Sequence, residues 1–172
     1  AFIMMPKVTN GMPFTEYFLA ENRHRILNDT NNPGNGMLIW HVDARRSGGF
    51  IYNNSYATHK LIRLMEADGL EQIENNNGAN AGDYYNQGES LSPYSMPSSR
   101  RYDGVNPWGG SNTWIKISVL SANSTVLTAN FEYIGFPTVT NWYAMLTDAG
   151  DGDSHAEPGE NARLWLWLKN AG

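Results

Sequence analysis

No cysteine occurs anywhere in the chain, which excludes disulfide bridges, a cysteine-ligated zinc ribbon and a thiol nucleophile. Charge is also scarce. Lys, Arg, Asp and Glu make up 17% of the residues, against roughly 25% in an average soluble domain. The balance is acidic, with a net charge of -5, whereas a nucleic-acid footprint would be basic and clustered. No apolar run approaches the roughly 20 residues that carry a helix across a bilayer. No apolar stripe at helical spacing has useful length. No basic segment followed by an apolar one opens the chain, so no signal peptide is visible.

Turn chemistry is abundant instead. The 172 residues include 20 Asn, 17 Gly and 8 Pro, a balance that favours loops over long helices. At 41% hydrophobic and 12% aromatic, the chain can still bury a core, which excludes wholesale disorder. The length fits one domain, or one domain plus part of another. The chain opens Ala1-Phe2-Ile3 without an initiator Met and stops at Gly172 just after a strand pattern. Both ends read as cuts within a longer protein.

Strand patterns recur along the chain. Residues 15–22 (T-E-Y-F-L-A-E-N) read as a strand, and residues 37–42 (M-L-I-W-H-V) as one buried on both faces. The turn-rich residues 28–36 between them would let the two pair as neighbours. Residues 45–56 read as a loop. Residues 61–67 (L-I-R-L-M-E-A) suit strand better than helix, because Asp68-Gly69 follows as a turn. Residues 71–112 form a long irregular stretch, unusual in a compact domain unless functional or held by a ligand. Residues 114–118 and 125–133 alternate and read as a hairpin. After a short linker at 134–137, residues 138–146 and 162–168 read as two further strands around an acidic loop. The expected fold is mainly β, an antiparallel sheet or sandwich with long Asn/Gly-rich loops and little helix. Residues 1–135 form one region and 136–172 the truncated start of another.

Six motifs stand in order within the first region: E-Y-F-L-A-E-N-R from Glu16, G-N-G-M-L-I-W-H-V-D from Gly34, L-M-E-A-D-G from Leu64, G-D-Y-Y from Gly82, P-S-S-R-R-Y-D-G from Pro97 and I-K-I-S from Ile115. The series resembles the part that follows the catalytic helix in secreted bacterial zinc metallopeptidases of the immune inhibitor A family. Catalysis in that family needs His-Glu-x-x-His on a helix. Here His24, His41, His59 and His155 are none of them followed by Glu or by a second His four residues on. The resemblance thus implies a zinc-dependent parent protease and transfers no catalytic residue to this chain. Zinc would belong to the absent catalytic part, whose domain is the expected partner. Residues 137–172, with D-A-G-D-G-D-S-H-A-E-P-G-E before A-R-L-W-L-W-L, are similar to the start of an immunoglobulin-like accessory module, which needs about 100 residues when complete.

Two acidic sets are candidate Ca²⁺ ligands. Asp148, Asp151, Asp153, Glu157 and Glu160 alternate with Gly in one loop, which suits a hard cation taking about 6–8 oxygens. The set is no EF-hand, and the alternative is a solvated acidic turn. Asp43, Asp68 and Asp83, with Asn53, Asn54 and Asp103, lie in loops whose ordering entropy a bound cation would offset; the alternative is local Asx turns. His41, inside a buried-looking strand, reads as a hydrogen-bonded core residue rather than a metal ligand or a contact to the catalytic domain. Glu21 and Arg23 share one strand face and suggest an ion pair. Trp108, Trp114, Trp142, Trp165 and Trp167 offer either a sugar-stacking platform or an orphaned interface. Sequons at Asn28, Asn53 and Asn123 receive no function in a bacterial protein. The expected function is a non-catalytic structural part of a secreted metalloendopeptidase, walling its cleft. The alternative is a carbohydrate- or cell-surface-binding module. Strand addition to a second copy of the chain is a further expected contact.

Overall fold

The computed structural model describes residues 1–6, 15–45, 53–55, 59–102, 110–135, 139–148 and 162–170, the last two stretches by backbone alone. The chain divides into two compact units, Ala1–Ile134 and Gly135–Gly172. It is mainly β. Among the described residues the only helical segments are single 3-10 turns at Leu27–Asp29 and Ala81–Asp83, and no helix is long and apolar enough to cross a membrane.

Four antiparallel strands form the first sheet in the order β1 (Phe2–Met4), β2 (Glu16–Arg23), β3 (Gly36–Asp43) and β4 (Ile62–Leu64). The continuous apolar run of β3 takes a central place, and all of its residues but Trp40 are buried. β2 pairs along its whole length, from Glu16 opposite Asp43 to Arg23 opposite Gly36. The other edge of β3 is shared. β4 covers residues 40–42, the Met65 N–H donates to the Ile39 carbonyl, and Tyr85 exchanges two backbone hydrogen bonds with Met37. Every polar backbone group of a buried strand needs such a partner.

The 61–67 strand pattern yields only three strand residues. The chain bends after Met65, and Gly69 takes a left-handed φ of 68° to close the turn. β1 is an unanticipated three-residue edge strand.

The second sheet is β5 (Ser90–Leu91), β6 (Ile115–Val119) and β7 (Ala129–Tyr133). The β6–β7 hairpin is the one anticipated, and β5 is a short addition. Ile115, Ile117 and Val119 of β6 are buried, while Lys116 and Ser118 between them are half-buried. These three residues join Leu91, Met65, Tyr85 and, from the first sheet, Met4, Phe18, Ala20, Met37 and Ile39 in one core cluster. Burying an aliphatic side chain of this size contributes about 1.5–3 kcal/mol.

In the second unit β8 (Val139–Asp148) and β9 (Ala162–Asn170) form an antiparallel pair with an irregularity between Asn141 and Tyr143.

Candidate functional site

The register of the first sheet puts Glu16, Phe18, Ala20 and Asn22 on the face that carries Asp43, His41, Ile39 and Met37. Arg63 lies opposite His41 on β4. One end of this face is therefore apolar core and the other a buried polar network. His41 is fully buried, and its Nε2 lies 2.9 Å from Glu16 Oε1. The Tyr102 N–H donates to the same oxygen at 3.0 Å, and Arg101 stands 3.5 Å from Glu16 Oε2. Four rings stack in series: Phe18 on His41 at 4.3 Å, His41 on Tyr102 at 4.1 Å and Tyr102 on His59 at 4.4 Å between centroids.

His59 Nε2 in turn meets Asp43 Oδ2 at 2.6 Å, and Arg45 Nε donates to both Asp43 oxygens at 3.0 Å. Burial lowers the His41 pKa in spite of Glu16. The geometry agrees, because a proton on Nδ1 would be a buried donor with no acceptor among the described residues. Burial raises the Tyr102 pKa in spite of neighbouring Arg63. For Asp43, burial pushes upward, but the hydrogen bonds from Arg45 and His59 and the charge of Arg45 hold the carboxyl below its usual range. A fully buried neutral imidazole locked between two rings suits positioning, not exchange with substrate.

The second cluster forms where β4 ends. Past Met65 the chain turns, with the Gly69 N–H donating to the Glu66 carbonyl at 2.9 Å. Asn80 caps the Ala81–Asp83 turn. Its Oδ1 accepts from Gly82 N–H at 2.6 Å, while Asp83 Oδ2 accepts from Asn80 N–H at 2.7 Å, a reciprocal capping box. The two segments are laced by Ala67 N–H to the Asp83 carbonyl, 3.2 Å, and Asp68 N–H to the Gly82 carbonyl, 3.0 Å.

As a result Glu66, Asp68 and Asp83 each offer a carboxylate oxygen, and these lie within 4.8 Å of one another. Glu66 and Asp83 are buried and Asp68 is exposed. Glu66 accepts backbone N–H groups from Gln72 at 2.6 Å and Ile73 at 3.0 Å; Asp68 Oδ1 accepts from Leu70 N–H at 3.0 Å. Asp83 Oδ1 is buried with no partner among the described residues. Burial raises both buried carboxyls, with the Asp68 charge acting in the same direction on each. The cations beside the cluster in sequence are already engaged, Arg63 with Glu71 and Lys60 with Glu74.

Of the residues picked out by sequence, Asp68 and Asp83 are thus brought together, whereas Asp43 belongs to the histidine network. Asn53 Oδ1 accepts from Ser55 N–H, a local turn, and Asn54 Oδ1 accepts from Ile62 N–H of β4, both at 2.9 Å. Asp103, Asp151, Asp153, Glu157 and Glu160, with His155 and Trp108, lie outside the described residues; Asp148 ends β8. Glu66 was missed, although it sits two residues before Asp68 in L-M-E-A-D-G. Glu21 and Arg23 do pair, at 3.0 Å.

The opposite face of the first sheet forms an open groove of about 400 Å³ lined by Tyr17, Leu19, Glu21, Trp40, Val42 and Ile62. Comparison with protein-family models, with curated proteins and with solved structures found no match.

Proposed function

We propose that the chain is a non-catalytic structural portion of a secreted bacterial zinc metalloendopeptidase resembling immune inhibitor A, packing against the parent's catalytic domain. The observation that carries this reading is the groove on the first sheet. Five of its six lining residues are aliphatic or aromatic, and Ile62 is 41% exposed. Its one carboxylate, Glu21, is engaged by the Trp40 indole N–H at 3.1 Å and by Arg23. A sugar platform needs free polar groups around its aromatic rings. A wall against another domain needs an apolar face that stays bare only while the chain is alone. The groove fits the wall better.

The motifs of the resemblance support the same reading, since their residues serve one another. Glu16 of the first motif holds His41 of the second and Tyr102 of the fifth, and Asp68 of the third holds Gly82 of the fourth.

The test begins with the coding sequence upstream of Ala1, where a His-Glu-x-x-His segment is expected; its absence removes the reading. The pure chain with Zn²⁺ should leave casein intact. Cleavage that is lost on mutating His41 would assign catalysis to this chain instead. Trp40→Ser with Ile62→Asp, made in the parent, should lower protease yield while leaving residues 1–172 alone soluble and folded.

A further inference from the structure

We infer that Glu66, Asp68 and Asp83 form a structural Ca²⁺ site that fastens the turn after β4 to the Ala81–Asp83 turn. Among the described residues, the side chains leave this site incomplete. Three carboxylates converge within 4.8 Å, and the buried Asp83 Oδ1 finds no donor among the described residues. Buried polar atoms are nearly always satisfied, so an orphan oxygen on a buried carboxylate of this cluster points to a ligand.

Several features choose the ligand. Every donor offered is oxygen, which favours a hard cation over zinc, whose sites draw on His and Cys. Oxygens around one Ca²⁺ lie about 2.3–2.6 Å from the ion and so at most about 4.6–5.2 Å apart. The three carboxylate oxygens, all within 4.8 Å of one another, fall inside that limit. Mg²⁺ demands near-ideal octahedral geometry and gives up its waters reluctantly, so it is rarely caged by several protein carboxylates. Asp68 is exposed, which gives the ion an entry path and room for water to complete its shell.

Gly82 is part of the fit. A Cβ there would stand 2.6 Å from Asp68 Oδ2 and 2.9 Å from Asn80 Oδ1, so the absence of a side chain keeps the carboxylate of Asp68 over the turn. The inference stands apart from the protease reading.

Thermal unfolding and calorimetric titration of the full chain test it, after stripping with EDTA and then with Ca²⁺ or Mg²⁺ alone at millimolar concentration. Ca²⁺ is expected to raise the unfolding midpoint and Mg²⁺ to raise it much less, by mass action on the native state. Asp83→Asn keeps the acceptor for the Asn80 N–H and should lose the shift. Asp68→Asn, at an exposed position, should lose it too and carries the test if the first variant folds poorly. Asp151→Asn, in the separate acidic loop, should retain it. No Ca²⁺ shift in the parent chain overturns the inference. So does a shift that survives in Asp68→Asn or Asp83→Asn and disappears in Asp151→Asn.

Discussion

The Glu16 carboxylate on β2 holds His41 on β3 at 2.9 Å, and the same oxygen accepts the backbone N–H of Tyr102, 86 residues further on. One carboxylate therefore ties two adjacent strands and a distant loop. Glu16→Ala would leave the His41 Nε2–H and the Tyr102 N–H without their acceptor. An unsatisfied buried donor costs about 1–3 kcal/mol, so the loss should be about 2–6 kcal/mol. Glu16→Gln keeps an acceptor oxygen and should lose less. Urea unfolding of the two variants measures the difference. A Glu16→Ala loss below about 0.5 kcal/mol, the scatter of ordinary surface changes, would mean that the network contributes nothing.

The same network sets an acid sensitivity with two windows. Burial lowers the His41 pKa from 6.5. Below about pH 6.5 the unfolded chain takes up a proton that the folded chain refuses, so this contribution is complete above that pH and is lost as pH falls toward the folded value. Asp43 behaves as a carboxylate held below 3.8 by Arg45 and His59, against the effect of burial. Its contribution is complete above pH 3.8 and is lost as pH falls through its folded value. His41→Gln should remove the first window and leave the second. The stability difference between parent and variant, followed from about pH 8 to about pH 4.5, should shrink as pH falls. A flat difference would show that His41 does not titrate as argued.

Local signals in the sequence reached as far as local physics does. The apolar run at Met37–Val42 announced β3 because every residue of it but Trp40 is buried in the sheet. The alternation after Trp114 announced β6 for the complementary reason, one wet face. His41 was readable as a core residue from its strand, but its partners were not. Glu16 reaches it through register, and Tyr102 and His59 through loops. Asp43 looked like a loop carboxylate free to bind an ion, yet Arg45 and His59 occupy both its oxygens. Asp68 and Asp83 meet through backbone lacing between two turns, which no spacing rule encodes. Glu66 escaped notice because a strand reading of residues 61–67 made it one more alternating residue rather than the start of a turn.

Gly36 separates close approach from backbone strain. It opens β3 at a φ of 138°, and a Cβ there would stand 2.7 Å from the Tyr85 carbonyl oxygen. That oxygen accepts the Met37 N–H, so it has no freedom to retreat. Gly88 also has a positive φ, 90°, but a Cβ there meets nothing within 4 Å. Gly88→Ala should therefore cost about 1 kcal/mol from conformation alone. Gly36→Ala adds a backbone clash and should cost distinctly more, with loss of the Met37–Tyr85 pairing visible as faster amide exchange at both residues. Equal costs at the two sites would show that the contact at Tyr85 relaxes freely.

The second unit supplies the last expectation. Its described part is the β8–β9 pair, with Tyr143 opposite Trp167 and Met145 opposite Trp165. A two-stranded ribbon is marginal in water by itself. The sequence of β9 alternates Leu with Trp over residues 164–168, so neither side of that strand is polar through its centre. Each Trp has about 150–250 Å² to bury, worth about 4–6 kcal/mol at roughly 25 cal/mol per Å². A ribbon of this composition gains by covering both sides, and two strands cannot do so. Residues 135–172 made as a separate peptide should show no cooperative melting as a monomer, and should associate as concentration rises, through the open strand edges. Circular dichroism on heating, with sedimentation at several concentrations, gives both readouts. A sharp, concentration-independent transition in a monomeric peptide would show that the hairpin carries its own core, and the packing argument would fail.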